Sequence, residues 1–334
     1  MSEPHGVPGH TTSGPWAPIF VDLAESNTLA HEPAPGCLIG IDSTGGGPAS
    51  DEAQHLVGRC TFALTEAPTG DRRFITVDSI PAAVATLTRR LAQRPVSAAV
   101  CDDVLRSGES NTDTFSGLMM ESLAYSTLQG GHEFGAWLAE QGPRSLADPP
   151  EPVLLERTGD IVVITLNQPK RHNAFSNTLR AGLIDGLTVA LSDPTISAVE
   201  FRGNGRSFCS GGDLTEFGTF DDPAAAHLAR TRFSPALLLN ALRERLGANL
   251  RAHTHGATMG SGLEMAAVCG HVTAHPATVF GLPELNLGLI PGAGGTVSIP
   301  RRIGRWRTAY LVLSGDTIDA TTALDWGLID EISD

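Results

Sequence analysis

Along the second half of the chain, short apolar runs typical of strands alternate with segments whose apolar residues have helical spacing. This pattern favours an α/β fold. An apolar run at Ile161–Leu166 stops at Asn167 and Pro169, and residues 175–191 carry Leu, Ile and Val at helical spacing. Further patterns predict a strand at 196–201, a helix at Pro235–Leu246 and a short strand at 249–255. Strands that alternate with helices are typical of an architecture in which helices cover a largely parallel sheet.

The first half of the chain also has an α/β pattern, with shorter elements. It predicts strands at 37–41, 74–77 and 97–101, and helices at 82–92, 117–128 and 134–141. The segments 84–100 and 187–201 both pass from a helix through a proline turn into a Ser-Ala-Val strand. This similarity raises the hypothesis of a degenerate internal repeat.

Composition divides the chain into regions. Residues 142–152, GPRSLADPPEP, combine prolines with polar residues without a hydrophobic period, which indicates a linker. Residues 1–18 are rich in Gly, Pro, His and Ser, and we expect them to form a disordered leader. The predicted regions are therefore this leader, an α/β region of unclear role at 19–148, and a second region at 153–334.

Net charge and cysteine usage narrow the function classes. Acidic residues outnumber Lys plus Arg by 37 to 23, giving a formal charge of -14, which disfavours binding to nucleic acid or to an anionic membrane. No run of eighteen apolar residues exists, and we expect a cytoplasmic protein. The five cysteines are scattered without a paired C-x-x-C spacing, so we expect reduced, mostly buried thiols and no metal site.

Three glycine-rich segments are the candidates for chemistry. In 208–214, FCSGGDL, Gly211 and Gly212 would let the backbone approach a ligand at the start of a predicted helix. In 256–266, GATMGSGLEMA, small residues precede a second helix, whose first N–H groups also point outward. In the third segment, FGLPE at 280–284 places an acid before the glycine-rich run LGLIPGAGGT at 287–296.

Together, these segments resemble the crotonase superfamily, the enoyl-CoA hydratase/isomerase family. The resemblance covers residues 153–334 and includes, in family order, LNQPKRHNAF, FCSGGDL, GSGLE, FGLPE and LGLIPGAGGT. It implies a spiral of repeated ββα units and an oxyanion hole made by the backbone N–H groups of Gly212 and Ser261. It also implies a set of residues along the coenzyme A moiety: Lys170, Arg171, His172, Ala174, Ser210, Asp213 and Leu214.

The resemblance further implies catalytic roles for Glu264 and Glu284, which match the pair of acids that hold a water in the hydratases. By that analogy Glu264 activates the water and Glu284 carries the proton of the α-carbon. The chemistry is physically reasonable, because proton transfer at an acyl thioester develops negative charge on the thioester oxygen. Two preorganised N–H donors lower such a barrier by about 3 to 4 kcal/mol each. Close, half-buried carboxylates raise each other's pKa, which suits acid/base work near neutral pH.

Other functional readings of the sequence are weaker. Cys209 has no base near it in sequence, and His253 and His255 have no partner at metal-ligand spacing. A basic cluster could contact CoA phosphates, or could form a solvated or subunit-contact face; its members are Arg301, Arg302, Arg305 and Arg307. The spacings required for a dinucleotide fingerprint, a P-loop and a serine hydrolase elbow are all violated.

Two departures from the family pattern leave the function partly open. Members usually continue past the Gly-Leu-Ile-Asp-Glu segment into helices that cap the acyl-CoA site and build a trimer, whereas this sequence has instead an extra N-terminal region. We hypothesise that this region supplies the cover or a subunit interface. The leading prediction is a 2-enoyl-CoA hydratase without a cofactor beyond the CoA of its substrate, forming a homo-oligomer (trimer or hexamer).

Three alternatives to the hydratase remain. Within the same superfamily the chain could be an isomerase or an acyl-CoA hydrolase, because the same enolate chemistry serves both. In another class it could be a catalytically silent CoA-binding partner subunit. The residues Phe217, Phe220 and Phe233 are compatible with an apolar or aromatic acyl group, and equally with ordinary core packing.

Overall fold

The computed structural model describes residues 14–24, 34, 36–110, 113–142, 151–219 and 222–333. Residues 1–13 of the predicted leader and 143–150 of the predicted linker lie outside this range, and residues 14–18 form a turn that leads into the first strand. No helix in the described part combines the length and apolar character that a bilayer crossing requires.

A four-stranded parallel sheet comes first, with the strands in the order β1-β2-β3-β4. Its strands are β1 (Ile19–Asp22), β2 (Leu38–Asp42), β3 (Phe62–Thr65) and β4 (Phe74–Thr76), and α1 (Asp51–Arg59) connects β2 to β3. The side chain of Ser50 caps α1 by accepting a hydrogen bond from the N–H of Ala53 at 3.1 Å. Four helices follow the sheet: α2 (Ile80–Leu91), α3 (Pro95–Ser110), α4 (Thr114–Gln129) and α5 (His132–Ala139).

The second half is built on a six-stranded sheet in the order β13-β10-β8-β7-β6-β5. Its strands are β5 (Val153–Thr158), β6 (Ile161–Leu166), β7 (Ala198–Gly203), β8 (Leu250–Thr254), β10 (His271–Ala274) and β13 (Glu331–Ile332). All neighbours pair in parallel except β5 with β6. A smaller sheet holds β9 (Ala257–Met259), β11 (Val279–Gly281) and β12 (Ile318–Asp319).

Six helices complete the second half. They are α6 (Asn177–Ser192), α7 (Pro223–Arg232), α8 (Pro235–Leu246), α9 (Ser261–Val268), α10 (Gly295–Ser314) and α11 (Ala320–Trp326). Helices α6 and α8 pack on the larger sheet and on each other. Helix α10 is interrupted at Gly304, whose φ of 80° is a left-handed conformation that glycine tolerates.

The two halves share one hydrophobic core. Helix α10 packs against α2, α3, α4 and β3 of the first half and against α9 of the second. Phe62 and Leu105 lie in the same buried cluster as Ile299 and Leu311 of α10. Each of these four side chains is at most 1% exposed. The first half is therefore packed into the molecule and is not an appended module.

Most predicted elements are present, but the first half contains one that is wrong. The predicted strand at 97–101 lies inside α3, where Ser97, Ala98 and Cys101 are buried helical residues. An apolar run of this length does not distinguish a buried strand from one face of a buried helix. The segments 84–100 and 187–201 therefore do not share a strand, which was the similarity that raised the repeat hypothesis. Helix α1 and strands β1 and β3 were not predicted.

Two members of the arginine cluster, Arg302 and Arg305, have a different role from either one predicted, whereas Arg301 is exposed. Arg305 is 3% exposed and donates hydrogen bonds to the carbonyl oxygens of Cys60 and Gly58 and to the carboxylate of Glu109. Arg302 donates to the carbonyl oxygens of residues 267 and 269. These guanidinium groups satisfy internal carbonyls, and Arg305 also attaches α10 to the first half of the chain.

Candidate active site

The start of helix α9 forms one side of the candidate site. Gly260, the residue before the helix, has φ 48° and ψ -125°, and its N–H donates to the carbonyl oxygen of Gly281 at 3.0 Å. This bond continues the parallel pairing of β9 with β11. Ser261 begins the helix, as predicted, so its N–H has no acceptor within the helix and lies at the positive end of the helix dipole.

The segment around Gly212 lies beside this helix start. Cys209 pairs with Thr258, and Met259 donates to the carbonyl oxygen of Cys209 at 2.9 Å. A Cβ atom placed on Gly260 would lie only 3.4 Å from the Cα atom of Gly211. The two candidate oxyanion segments are therefore neighbours.

The N–H groups of Gly212 and Ser261 both lack a backbone acceptor in the described part of the chain. Phe175 donates to the carbonyl oxygen of Gly211 at 2.8 Å, and Asp213 donates back to Phe175 at 3.1 Å. This parallel bridge leaves the N–H of Gly212 out of the pairing. No acceptor among the described residues receives a hydrogen bond from either candidate N–H group.

The helix predicted to begin near Gly212 is absent. Residues 213–219 form turns, and the next helix in the described chain is α7, which begins at Pro223. The carboxylate of Asp213 is the physical reason, because it accepts hydrogen bonds from the N–H and the hydroxyl of Thr215 and thereby favours a turn. Helix-dipole stabilisation is thus available from the Ser261 side only.

Glu284 lies against the start of α9. It begins a short 3-10 helix, Glu284–Leu287, directly after β11. Its Oε1 atom is 2.5 Å from the position that a Cβ on Gly260 would take, so the glycine makes room for this carboxyl group. Its Oε2 atom is hidden from solvent and receives no hydrogen bond from the described residues. Burial, together with the charge of Glu121, raises the pKa of Glu284 to about 8.

Glu264 lies one turn further along α9 and is 2% exposed. Its Oε2 atom accepts hydrogen bonds from the N–H groups of Ala293 (2.7 Å) and Gly295 (2.8 Å), which belong to the glycine-rich turn before α10. Burial raises the pKa of Glu264 well above its usual value, and the charges of Glu284 and Glu121 raise it further. The two predicted catalytic acids are therefore close enough to influence each other's ionisation.

Glu121 also belongs to this site, although it was not predicted from the sequence. This residue on α4 is 2% exposed and accepts hydrogen bonds from Gly294 and Thr296 of the same turn. Tyr125, one helical turn later, places its ring against Gly292. The available signal was an acid and a tyrosine at i and i+4 on an otherwise largely apolar segment. That spacing predicts a shared face but not the surface that the face contacts.

The residues predicted to bind CoA lie on two adjacent segments. Ser210 donates its N–H to the carbonyl oxygen of His172 at 2.9 Å, which joins the segment 170–174 to the segment 210–214. We call the surface formed by residues 170–174 and 210–214 the rim. Lys170, His172 and Leu214 are exposed on it, and Ala174 and Ser210 are partly exposed. Arg171 and Asp213 instead form an ion pair with each other, and the Asp213 side chain is only 4% exposed.

A buried asparagine fixes the geometry of this rim. His172 and Asn173 both have positive φ values, 52° and 53°, which are uncommon outside glycine. The side-chain amide of Asn173 donates to the carbonyl oxygens of residues 204, 207 and 208 at 2.8 to 3.0 Å. These bonds hold the backbone turn that presents residues 170–172.

Cys209, His253 and His255, which were considered for other kinds of chemistry, are buried or contact other groups of the protein. All five cysteines are buried and unpaired, and burial raises the pKa of Cys209 to about 11, so its thiol is protonated at neutral pH. His253 contacts the carboxylate of Glu200, and a ring nitrogen of His255 lies 3.0 Å from the carbonyl oxygen of Gly205. Within the described part of the chain, no group of His, Cys, Asp and Glu side chains could hold a metal ion.

Comparison with known proteins decides the family. The sequence profile described as "Enoyl-CoA hydratase/isomerase" matches residues 156–333, more than half of the chain. The chain belongs to the enoyl-CoA hydratase/isomerase family. The predicted family and the predicted crotonase-like α/β fold are thereby confirmed, together with the expectation of an enzyme of this family.

Relatives in this family share the second half of the chain. The 2,3-dehydroadipyl-CoA hydratase of Escherichia coli K12 is 35% identical over 187 residues, which cover 54% of this chain and 68% of that protein. The peroxisomal bifunctional enzyme of Danio rerio is 35% identical over 174 residues, which cover 52% of this chain and 23% of that longer protein. Among solved structures, DspI of Pseudomonas aeruginosa has 31% identity and a TM-score of 0.50, covering 57% of this chain and 71% of that one.

Proposed function

We propose that this protein adds water across the 2,3-double bond of a 2-enoyl-CoA thioester, or catalyses the reverse dehydration. One observation carries the proposal: two carboxyl groups with raised pKa values, Glu264 and Glu284, flank the helix start that presents the N–H of Ser261. Family membership supports the same reaction, since the E. coli relative is named a hydratase of an acyl-CoA.

The N–H groups of Gly212 and Ser261 would bind the thioester oxygen. Addition at C3 moves electrons through C2 to this oxygen, where two preorganised donors stabilise the developing charge. Both N–H groups are free of described acceptors, and the ring of Phe217 lies 3.0 Å from a Cβ position on Gly212. Phe217 therefore belongs to the wall that excludes water from this oxygen.

The two carboxyl groups divide the proton transfers. Glu264 takes a proton from water while the water oxygen bonds to C3, and Glu284 gives its proton to C2. The proton on Glu264 afterwards returns to Glu284 directly or through solvent, which closes the cycle. A carboxyl group with a pKa of about 8 still holds its proton at neutral pH, as the acid in this scheme must.

The exposed rim is proposed to hold the coenzyme. Lys170 is free to meet phosphate groups, and His172, Ala174, Ser210 and Leu214 lie along the same surface. Arg171 and Asp213 would support the rim through their mutual ion pair, and their charges would not contact CoA directly. The proposed reaction needs no metal or cofactor beyond the CoA of the substrate.

We assign the N-terminal region, residues 19–148, the role of a cover for the acyl site. Trp137 of α5 packs edge-on against Phe217, with ring centroids 6.0 Å apart. A Cβ on Gly218 would lie 2.7 Å from the Leu138 side chain, so α5 covers the turn after Gly212. Helix α4 packs on α7, which follows that turn. Residues 153–334, as the acyl-CoA domain, complete the proposed organisation.

An absorbance assay tests the reaction. Purified protein should consume the conjugated thioester absorbance of crotonyl-CoA or a longer 2-enoyl-CoA, and mass spectrometry should find a product heavier by one water. A panel of acyl-CoA substrates then identifies the acyl group. A shifted double bond without added water, release of free CoA, or CoA binding without turnover would replace this proposal by the isomerase, the hydrolase or the silent subunit, respectively.

Assembly and location are separate proposals. We expect a cytoplasmic homo-oligomer, a trimer or hexamer, that interacts with its acyl-CoA substrate and not with nucleic acid or membranes. Light scattering coupled to size-exclusion chromatography measures the mass directly. A monomer of 35.0 kDa would contradict the expected assembly without affecting the proposed reaction.

A further inference from the structure

The glycine-rich turn at 293–296 is held by two buried carboxyl groups, those of Glu264 and Glu121. Glu264 accepts hydrogen bonds from the N–H groups of Ala293 and Gly295. Glu121 accepts from the N–H groups of Gly294 and Thr296, each at 2.8 Å, and from the Thr296 hydroxyl at 2.7 Å. Four successive amides thus alternate between a predicted catalytic acid and an acid from the N-terminal region.

The backbone of the turn is what makes this alternation possible. Gly294 has φ 104°, a conformation that L side chains rarely adopt, and it precedes α10. Backbone N–H groups at such a turn and in the first turn of a helix favour negative charge. A Cβ on Gly295 would lie 2.6 Å from Cγ of Glu264, so the turn also packs tightly against the catalytic acid.

Glu121 is held as firmly as the turn. It lies in the middle of α4, whose residues Ser122 and Ser126 contact Arg230 of α7, and the Arg230 guanidinium stacks on the ring of Tyr125 at 4.3 Å. These contacts hold α4, the helix that carries Glu121, against α7.

We propose that Glu121 is a positioning residue of the active site, which fixes the turn at 293–296 so that the amides of Ala293 and Gly295 orient the carboxyl group of Glu264. The proposal rests on the proposed hydratase function for its kinetic consequences only. It makes the N-terminal region part of the catalytic apparatus, because neither Glu264 nor the turn can be oriented fully by residues 153–334 alone.

The alternative is that Glu121 merely attaches the N-terminal region to α10. Glu109 provides a matched control, since it also lies in that region and also binds α10 with its carboxylate, through Arg305, but away from the turn. The variants Glu121→Gln and Glu109→Gln each replace one such carboxylate by its isosteric amide. Attachment alone predicts that both variants behave alike.

Hydrogen–deuterium exchange on the full chain is the deciding measurement. In Glu121→Gln the side-chain NH2 group faces the N–H and hydroxyl donors of Thr296 and cannot accept from them. Peptides that contain 293–296 should therefore exchange faster than in wild type. Glu109→Gln should leave their exchange unchanged. In the same variant kcat for enoyl-CoA hydration should fall by about ten- to a hundredfold, with little change in KM, because misplacing a catalytic group by about 1 Å has effects of this size.

A second variant protects the test against misfolding. Thr296→Val removes the hydroxyl donor from the turn side and keeps the Glu121 carboxylate, so it should show the same two changes to a smaller extent. Wild-type exchange in 293–296 for Glu121→Gln, or equal effects of Glu121→Gln and Glu109→Gln, would overturn the proposal. An inactive wild-type protein would remove the proposed hydratase function, and the exchange comparison would still decide the role of Glu121.

Discussion

Glu264 and Glu284 have the same side chain but different surroundings, and the difference supports the separate roles that we propose for them. Glu264 receives two amide hydrogen bonds on one oxygen, which favour its charged form and oppose the rise in pKa that burial and the charges of Glu284 and Glu121 cause, as a base requires. Glu284 has one oxygen without a donor among the described residues and a pKa of about 8, which suits an acid. The pair titrates as a unit, so each role describes a step of the cycle and not a fixed charge.

Removing either carboxyl group should nearly abolish hydration. The variants Glu264→Gln and Glu284→Gln keep the shape of the side chain and lose proton transfer, so kcat should fall by roughly 10² to 10⁴. Glu156→Gln, at an exposed position on β5, is the matched control and should keep wild-type activity. Steady-state kinetics with crotonyl-CoA measures the effect, and activity of either active-site variant within about twofold of wild type would rule out the assigned roles.

The pH profile should have its alkaline limb near the pKa of Glu284. Because burial raises this pKa to about 8, the acid form needed to protonate C2 is present at neutral pH and is lost as the pH rises through about 8. The rate of hydration should therefore fall above that pH. A profile of kcat that stays flat to pH 10 would show that Glu284 does not supply this proton.

The candidate catalytic acids could be proposed from the sequence, but the buried acid that shares the turn at 293–296 with Glu264 could not. Glu264 and Glu284 could be proposed because each lies inside a short motif that resembles the pattern of the family. Glu121 lies more than 140 residues before Glu264 in sequence, and only the packing of α4 on the turn brings them together. The ion pair of Arg171 with Asp213 escaped prediction for the same reason.

At the scale of elements, the start of α9 depends on a glycine. Gly260→Ala would place a methyl group 2.5 Å from Oε1 of Glu284, at a φ of 48° that alanine disfavours. We expect Glu284 to be displaced and kcat to fall by at least about tenfold, since misplaced catalytic groups have effects of this order. The structure of the variant, by circular dichroism, should stay close to wild type.

A glycine with open space around it gives the control. Gly58 lies inside α1 with no atom near its Cβ position, so Gly58→Ala should raise the free energy of unfolding by about 0.5 to 1 kcal/mol without changing activity. Thermal or urea unfolding of both variants measures the difference. Full activity in Gly260→Ala would contradict the proposed closeness of Glu284 to the helix start.

Elements with a clear hydrophobic period were predictable, whereas short segments without such a period were not. The strand Ile161–Leu166 and the helix Pro235–Leu246 are confirmed with the predicted bounds. The strand predicted at 97–101 was wrong, because a short apolar run fits a strand and a helix face equally well. The segment is part of the longer helix α3. The helix predicted to begin near Gly212 was wrong, because Asp213 accepts a hydrogen bond from Thr215 within a turn.

At the scale of the whole molecule, both halves depend on one core. Phe62, Leu87 and Leu105 belong to the same buried cluster as the apolar side chains of α10. Cutting the chain before Pro149 would expose this surface and leave the carbonyl partners of Arg305 missing. We therefore expect a fragment that contains residues 149–334 to be poorly folded and inactive.

Circular dichroism, thermal unfolding and the crotonyl-CoA assay test this fragment against the full chain. Loss of the cooperative unfolding transition is the expected result, because an exposed core face removes a large part of the buried apolar area. A well-folded fragment with full activity and an unchanged oligomeric state would show that residues 19–148 neither cover the site nor support the turn at 293–296.

The most direct test of the account is a crystal structure with a 3-hydroxyacyl-CoA bound. We predict that the thioester oxygen lies about 2.7 to 3.1 Å from the backbone nitrogens of both Gly212 and Ser261, with the 3-hydroxyl group between the carboxyl groups of Glu264 and Glu284. A thioester oxygen bound away from these two amides, or a hydroxyl group directed at solvent, would contradict the proposed reaction even if the fold is as described.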